Sequence, residues 1–163
     1  GQFSDQFSVG IAYSSKINMG KFDDYKGLFA GAGDFDIPSN YNIGVAFAPS
    51  PAWTVALDYQ RINYSDVAAV NNPSAPLAPL GPQLGTANGP GFGWRDIDVF
   101  KLGVVWAMSP SLTLRAGYNK GRNPIRPADV TFNILAPGVM KNHYTGGFTW
   151  AKTETSKPVT RTR

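Results

Sequence analysis

Six segments of this chain alternate residue by residue between bulky apolar side chains and small or polar ones. Period-two alternation is the pattern of a β-strand whose two faces meet different surroundings. A membrane-crossing helix would need about 18 or more consecutive apolar residues, and no stretch approaches that, so any membrane role must use strands. The predicted strands cover 6–19, 38–48, 53–66, 95–108, 112–121 and 142–153. Their bulky faces read Phe7, Val9, Ile11, Tyr13, Ile17 and Met19; Tyr41, Ile43, Val45 and Phe47; Trp53, Val55, Leu57 and Tyr59; Phe100, Leu102, Val104 and Trp106; Leu112, Leu114, Ala116 and Tyr118; Tyr144, Phe148 and Trp150. The opposite faces are mainly Gly, Ala, Ser and Thr, with Asp58, Gln60, Lys101 and Arg115 scattered among them.

A water-soluble sandwich and a membrane barrel both select alternation, so the residue types on the second face have to decide between them. In a sandwich that face meets bulk water and carries many charges, whereas here only 16% of all residues are charged. A lumen explains small, sparsely charged rows better. Loop lengths point the same way. The turns APSPAW and MSPSL are tight, while the connections near 20–37, 67–94 and 122–141 are long. Outer-membrane barrels pair short periplasmic turns with long external loops. The expected fold is therefore all-β, an antiparallel up-and-down meander forming part of a transmembrane barrel over 1–154, with a polar tail at 155–163. The runner-up is a soluble or surface β-domain serving as a binding or scaffold module.

Aromatic residues recur at six-residue spacing on the bulky face. With the tight turns set as periplasmic, Phe47, Trp53, Trp106 and Trp150 fall at one membrane level and Tyr41, Tyr59, Tyr118 and Tyr144 at the other. Rings with a polar tip favour such interfaces. Six residues tilted about 45° rise only about 14 Å against an apolar band of about 25 Å, so one row sits inside the band.

With no Cys the chain has no disulfide framework and no thiolate site. The net charge of +4 comes largely from Lys152, Lys157, Arg161 and Arg163, a basic end without the aromatic interleaving of a nucleic-acid surface. Gly1 is followed by no charged-then-apolar leader, so the sequence reads as mature or excised. The loop PSAPLAPLGPQLGTANGPGFG reads as a flexible external loop rather than a polyproline ligand.

Further along the chain, GFGWRDIDVFKLGVVW, LTLRAGYNKGRNPI, VTFNILAPGV and HYTGGFTW, with IPSNYNIGVAF and LDYQRINYSDV upstream, resemble the FadL/TodX-type outer-membrane transporters of long-chain fatty acids and aromatic hydrocarbons. The resemblance runs along most of 6–154. It implies a barrel of about fourteen strands with an N-terminal hatch, ligand capture by the outer loops and lateral release through the wall. No hatch segment precedes Gly1 and the chain ends in KPVTRTR, so the expectation is a portion of the C-terminal half. The implied activity is passive uptake of hydrophobic compounds across the Gram-negative outer membrane, with no catalysis and no cofactor.

Asp58, Gln60, Lys101 and Arg115 are then the candidates for the ligand path, together with the apolar loop residues Phe132, Ile134 and Leu135, which Val139 and Met140 continue. A lumenal cation can meet a carboxylate through a charge-assisted hydrogen bond. The plainer expectation is a salt-bridge network among Asp58, Lys101 and Arg115. Arg61 and Lys120 stand near the external ends, within reach of lipopolysaccharide phosphates. His143, the only histidine, would have to serve any Ser-His-Asp hydrolase, but no nucleophile elbow accompanies it, and it reads as a strand-opening residue. Asp23, Asp24, Asp34 and Asp36 lack EF-hand spacing and read as solvated loop carboxylates, so no metal site is expected.

The expected partners are membrane lipid, lipopolysaccharide and a hydrophobic small molecule. Six strands are fewer than the smallest bacterial barrels possess, which leaves two unpaired edges as templates for self-association. The isolated chain is therefore expected to require detergent and to run as oligomers or aggregates on size exclusion; a monodisperse monomer in plain buffer would refute this reading of the bulky rows.

Overall fold

The computed structural model describes residues 1–74 and 83–152; 75–82 and 153–163 lie outside the described residues, and with them part of the Pro-rich loop and the predicted tail. One antiparallel sheet runs through the chain in sequence order. Its strands are β1 (Gln2–Ser4), β2 (Phe7–Ser14), β3 (Asn40–Ser50), β4 (Trp53–Ile62), β5 (Ile97–Ser109), β6 (Leu112–Gly121) and β7 (Asn142–Trp150). The six longer strands are those expected from alternation, and β1 is a three-residue strand folded back on β2. Strands β3 to β7 span 9 to 13 residues, enough for a tilted membrane crossing.

The register keeps like with like. Phe7 faces Phe47, Val45 faces Leu57, Trp53 faces Trp106, Leu102 faces Tyr118 and Leu114 faces Phe148. Trp53 and Trp106 stack with ring centroids 5.0 Å apart and planes 10° from parallel, while Tyr118 and Tyr144 meet at 5.0 Å. Because side chains alternate across the pleat, this pairing gathers the bulky rows on one face of the sheet.

Among the described residues no second sheet covers that face. Leu57, Phe100, Phe148 and Trp150 are exposed, the last at 69%. A sandwich would have closed these rings in a dry centre. The buried apolar residues lie instead mostly among the long loops, where Ala30, Val67, Ala69 and Val70 pack with Phe29, Phe35, Tyr64 and Trp94.

Several boundaries differ from the sequence expectation, each for a local reason. The first long strand ends at Ser14, not at 19, and Ile17 makes only an isolated bridge to Ile37. There the chain turns aside because Asp36 takes the Met19 N–H (2.8 Å) and the Lys16 ammonium (2.8 Å). β4 ends at Ile62 instead of 66, since the Asp66 carboxylate accepts hydrogen bonds from the Ser39 N–H and hydroxyl and draws 64–66 into a short 3-10 turn. Residues 38–39 precede β3, and β7 ends at Trp150.

The described part of the Pro-rich loop packs against the neighbouring loops. Gly31 and Ala32 donate to the carbonyls of Thr86 (3.1 Å) and Gly85 (2.8 Å), and Phe92 and Gly93 donate to those of Ala69 (3.3 Å) and Asn72 (2.8 Å). Gly85 sits at φ +79° with the Lys26 carbonyl where a Cβ would stand. Gly85→Ala therefore meets both a left-handed backbone, worth about 1–2 kcal/mol, and a clash with main chain. It is expected to expose the loop layer to limited proteolysis around 83–93 while the sheet keeps its far-UV signature; unchanged protease resistance would contradict the packing.

Candidate functional site

Away from the aromatic face, strand pairing builds rows of side chains running across the sheet. One row consists of Ala46, Ala56, Gly103, Gly117 and Thr145, which keeps that level of the face wide. The next row toward the long loops is polar: Gly44, Asp58, Lys101, Asn119 and His143 stand opposite one another on β3 to β7. The Asp58 carboxylate lies over Gly44, where any Cβ would overlap it, so the glycine makes room for the acid. Gln60 adds to the polar level, pairing across with Val99.

Above this row, under the loop 122–141, lies a cavity of about 360 Å³. Its polar side is Gln60, Lys101, Asn119, Arg122 and His143, and its apolar walls include Tyr64, Trp94, Val99, Val139 and Met140. Among the described residues no carboxylate lines it. Pockets of this size, largely apolar with a few convergent polar groups, suit small organic ligands. Burial pushes the Tyr64 phenol up, so this wall stays neutral.

The expected charge network does not form. Asp58 and Lys101 are cross-strand partners, yet Lys101 reaches along the sheet to the Gln60 carbonyl oxygen at 2.8 Å. Arg115 is two rows away, opposite Val105 and Gly147, and donates to the Thr149 hydroxyl at 2.6 Å. Among the described residues the ion pairs lie at the loop ends: Lys16 with Asp36, and Arg61 with Asp96 (3.2 Å) and Asp98 (2.9 Å). Two carboxylates thus pair with Arg61. Lys120 is exposed on the bulky face, opposite Phe100 and Asn142.

The loop candidates divide as well. Phe132 packs on Phe92 at 5.3 Å, and Ile134 and Leu135 are exposed at 77% and 76%; none of the three lines the cavity. Val139 and Met140 do. His143 is a wall residue of the cavity, with no nucleophile or acid hydrogen-bonded to it among the described residues. Trp94, Asn119, Pro137 and Gly138 were not anticipated as lining residues. Asn119 was discoverable from strand parity, but the others belong to loops, where no period marks the inward side.

The acidic loop is not uniformly solvated, because Asp36 is only 5% exposed, and no metal-binding cluster occurs among the described residues. The hydrogen bond from Lys16, helped by the Met19 N–H, holds the Asp36 carboxyl below its ordinary value; the same hydrogen bond raises the Lys16 ammonium. A lowered acid stabilises the fold fully above its unfolded value of about 3.9 and loses that contribution as pH falls through the folded value. The raised lysine contributes fully below about 10.4 and is lost as pH rises through its folded value. Met19 amide protection, corrected for intrinsic exchange, is therefore expected to fall as pH drops below about 4 and to become pH-independent there in Asp36→Asn; an unchanged wild-type profile would contradict the contact.

The family described as Outer membrane protein transport protein (OMPP1/FadL/TodX) matches residues 2–157. Similar solved structures include the Ralstonia pickettii toluene transporter TbuX (18% identity, TM-score 0.56, 94% of this chain and 37% of that one). The P. putida toluene transporter TodX (21%, 0.56, 91% and 36%) and the CymD monoaromatic hydrocarbon channel (20%, 0.56, 94% and 41%) are others. At such identities the likeness is one of fold, and the chain spans well under half of each. No curated protein matches the chain.

Proposed function

Because this chain belongs to the OMPP1/FadL/TodX family of outer membrane transport proteins, we propose that its small-residue face lines a passive path for hydrophobic compounds, long-chain fatty acids and monoaromatic hydrocarbons among them. The bulky rows meet acyl chains of the Gram-negative outer membrane. Phe47, Trp53, Trp106 and Trp150 form the periplasmic aromatic level and Tyr41, Tyr59, Tyr118 and Tyr144 the outer one. Lipid and lipopolysaccharide are the partners of that face, where Lys120 offers a cation to phosphate. The two sheet edges, at β1 and β7, are where the isolated chain self-associates.

The observation that carries the reading is the cavity between the polar row and the outer loops, apolar on its walls and lined by no carboxylate among the described residues. An apolar body packs against Trp94, Val99, Val139 and Met140, while Lys101, Asn119 and His143 offer donors to a polar or anionic end. Lys101 is held by a neutral amide rather than an acid, so its charge is available to a carboxylate. Asp58 and Arg115, outside this cavity, belong to the continuation of the path along the sheet. Nothing in this movement requires a reaction; diffusion down a gradient suffices, and the protein's role is to replace the aqueous barrier by a graded surface.

Proteoliposomes carrying the protein are expected to take up both toluene and laurate faster than empty vesicles. Lys101→Met is expected to slow laurate about tenfold, the loss of one charge-assisted hydrogen bond, and to leave toluene nearly unchanged. Uptake of neither compound above empty vesicles would overturn the proposed function, and equal slowing of both would remove Lys101 from the head-group role.

A further inference from the structure

Resting on that reading of the cavity, we propose that Asn133 is a positioning residue: it fixes the Trp94 indole as the cavity wall and thereby sets which ligands fit. Asn133 is 3% exposed and does not line the cavity. Its amide is fully engaged. The carbonyl oxygen accepts the Trp94 indole N–H at 2.6 Å, and the NH₂ donates to the main-chain carbonyls of Phe92 (2.6 Å) and Asp129 (2.8 Å). One side chain therefore ties the loop 63–96, which carries Trp94, to the loop 122–141, which roofs the cavity.

Trp94 has further neighbours, but none of them takes its indole N–H. The Tyr64 ring meets it edge-on, 5.0 Å away at 88°. Its main chain bridges to Ile125, and its N–H donates to the Val70 carbonyl at 3.0 Å. A Cβ at Gly138 would lie 3.3 Å from the six-membered ring, so the roof approaches the indole as closely as a glycine allows. With the indole N–H drawn to Asn133, that donor is spent within the loops and is withheld from the cavity. The wall presented to a ligand is then a flat apolar ring at a fixed angle, beside the polar row of Lys101, Asn119 and His143.

Without the Asn133 acceptor the ring is free to turn about its side-chain torsions, and a half-buried indole N–H has to find another partner. The consequence is a change of selectivity, because a flat ligand depends on the ring angle more than a flexible chain does.

The test uses Asn133→Leu, Trp94→Phe and the double variant, in detergent and in proteoliposomes, with toluene and laurate as probes. In the wild type the Trp94 indole proton is expected to exchange slowly by NMR; in Asn133→Leu it exchanges fast, and the toluene-to-laurate affinity ratio falls about tenfold, comparable to roughly one buried hydrogen bond. Trp94→Phe shifts the ratio in the same direction, and the double variant goes little further, because both changes break one contact. Should Asn133→Leu fail to fold, Trp94→Phe carries the test, since it leaves both donations of the Asn133 amide to main chain in place. An unchanged ratio in Trp94→Phe or in folded Asn133→Leu, an indole proton that keeps its protection in Asn133→Leu, or full additivity in the double variant overturns the proposal while leaving uptake intact. A wild type that takes up neither probe overturns the functional reading, and the inference falls with it.

Discussion

A strand inside a bilayer has no water to satisfy its peptide groups, so each N–H and C=O must be paired by a neighbouring strand. In this chain the consequence is a continuous antiparallel ladder from β1 to β7 in sequence order. Since successive side chains point to opposite sides, a slip of one residue in any pair would carry a whole bulky row to the lumenal side. The observed register avoids this along every pair of long strands, from Phe7 against Phe47 to Leu112 against Trp150. The two faces of the barrel wall thus follow from one set of hydrogen bonds.

That ladder leaves the sheet without the buried interior of a soluble domain. The loop layer supplies most of it instead. Ala30, Val67, Ala69 and Val70 are packed under Phe29, Phe35, Tyr64 and Trp94, and buried polar groups stitch the layer together. Asp129 accepts from the Ser74 main chain at 2.7 Å and its hydroxyl at 2.6 Å, while Asn133 holds Trp94. The wall supplies a graded surface and the loops give it a roof, and the cavity exists only where the two meet.

The distribution of charge follows the same division. Near the long loops Arg61 pairs with Asp96 and Asp98, and Tyr59 donates to Asp98 at 2.7 Å. On the lumenal face Lys101 and Arg115 rest on Gln60 and Thr149 instead of on acids. Neutral acceptors satisfy the cations without cancelling their field.

Alternation alone disclosed the six long strands, their shared faces and the placement of Asp58, Gln60, Lys101 and Arg115 on the narrow-residue side; for β6 even the ends at 112 and 121 agree. These were legible because a period of two is a local property, enforced at each residue by the pleat. The early end of β2 at Ser14, the burial of Asp36, the turn drawn by Asp66 and the Trp94–Asn133 contact were not, since each depends on groups 17 to 39 residues apart brought together by loop packing. Likewise the residues opposite Lys101 were set by register, but its preference for Gln60 over Asp58 was settled by side-chain reach. The sequence determined a wall with one bulky face and one of small residues; tertiary structure decided where the cavity lies and which residues hold it, because strands obey a repeat and loops obey only their neighbours.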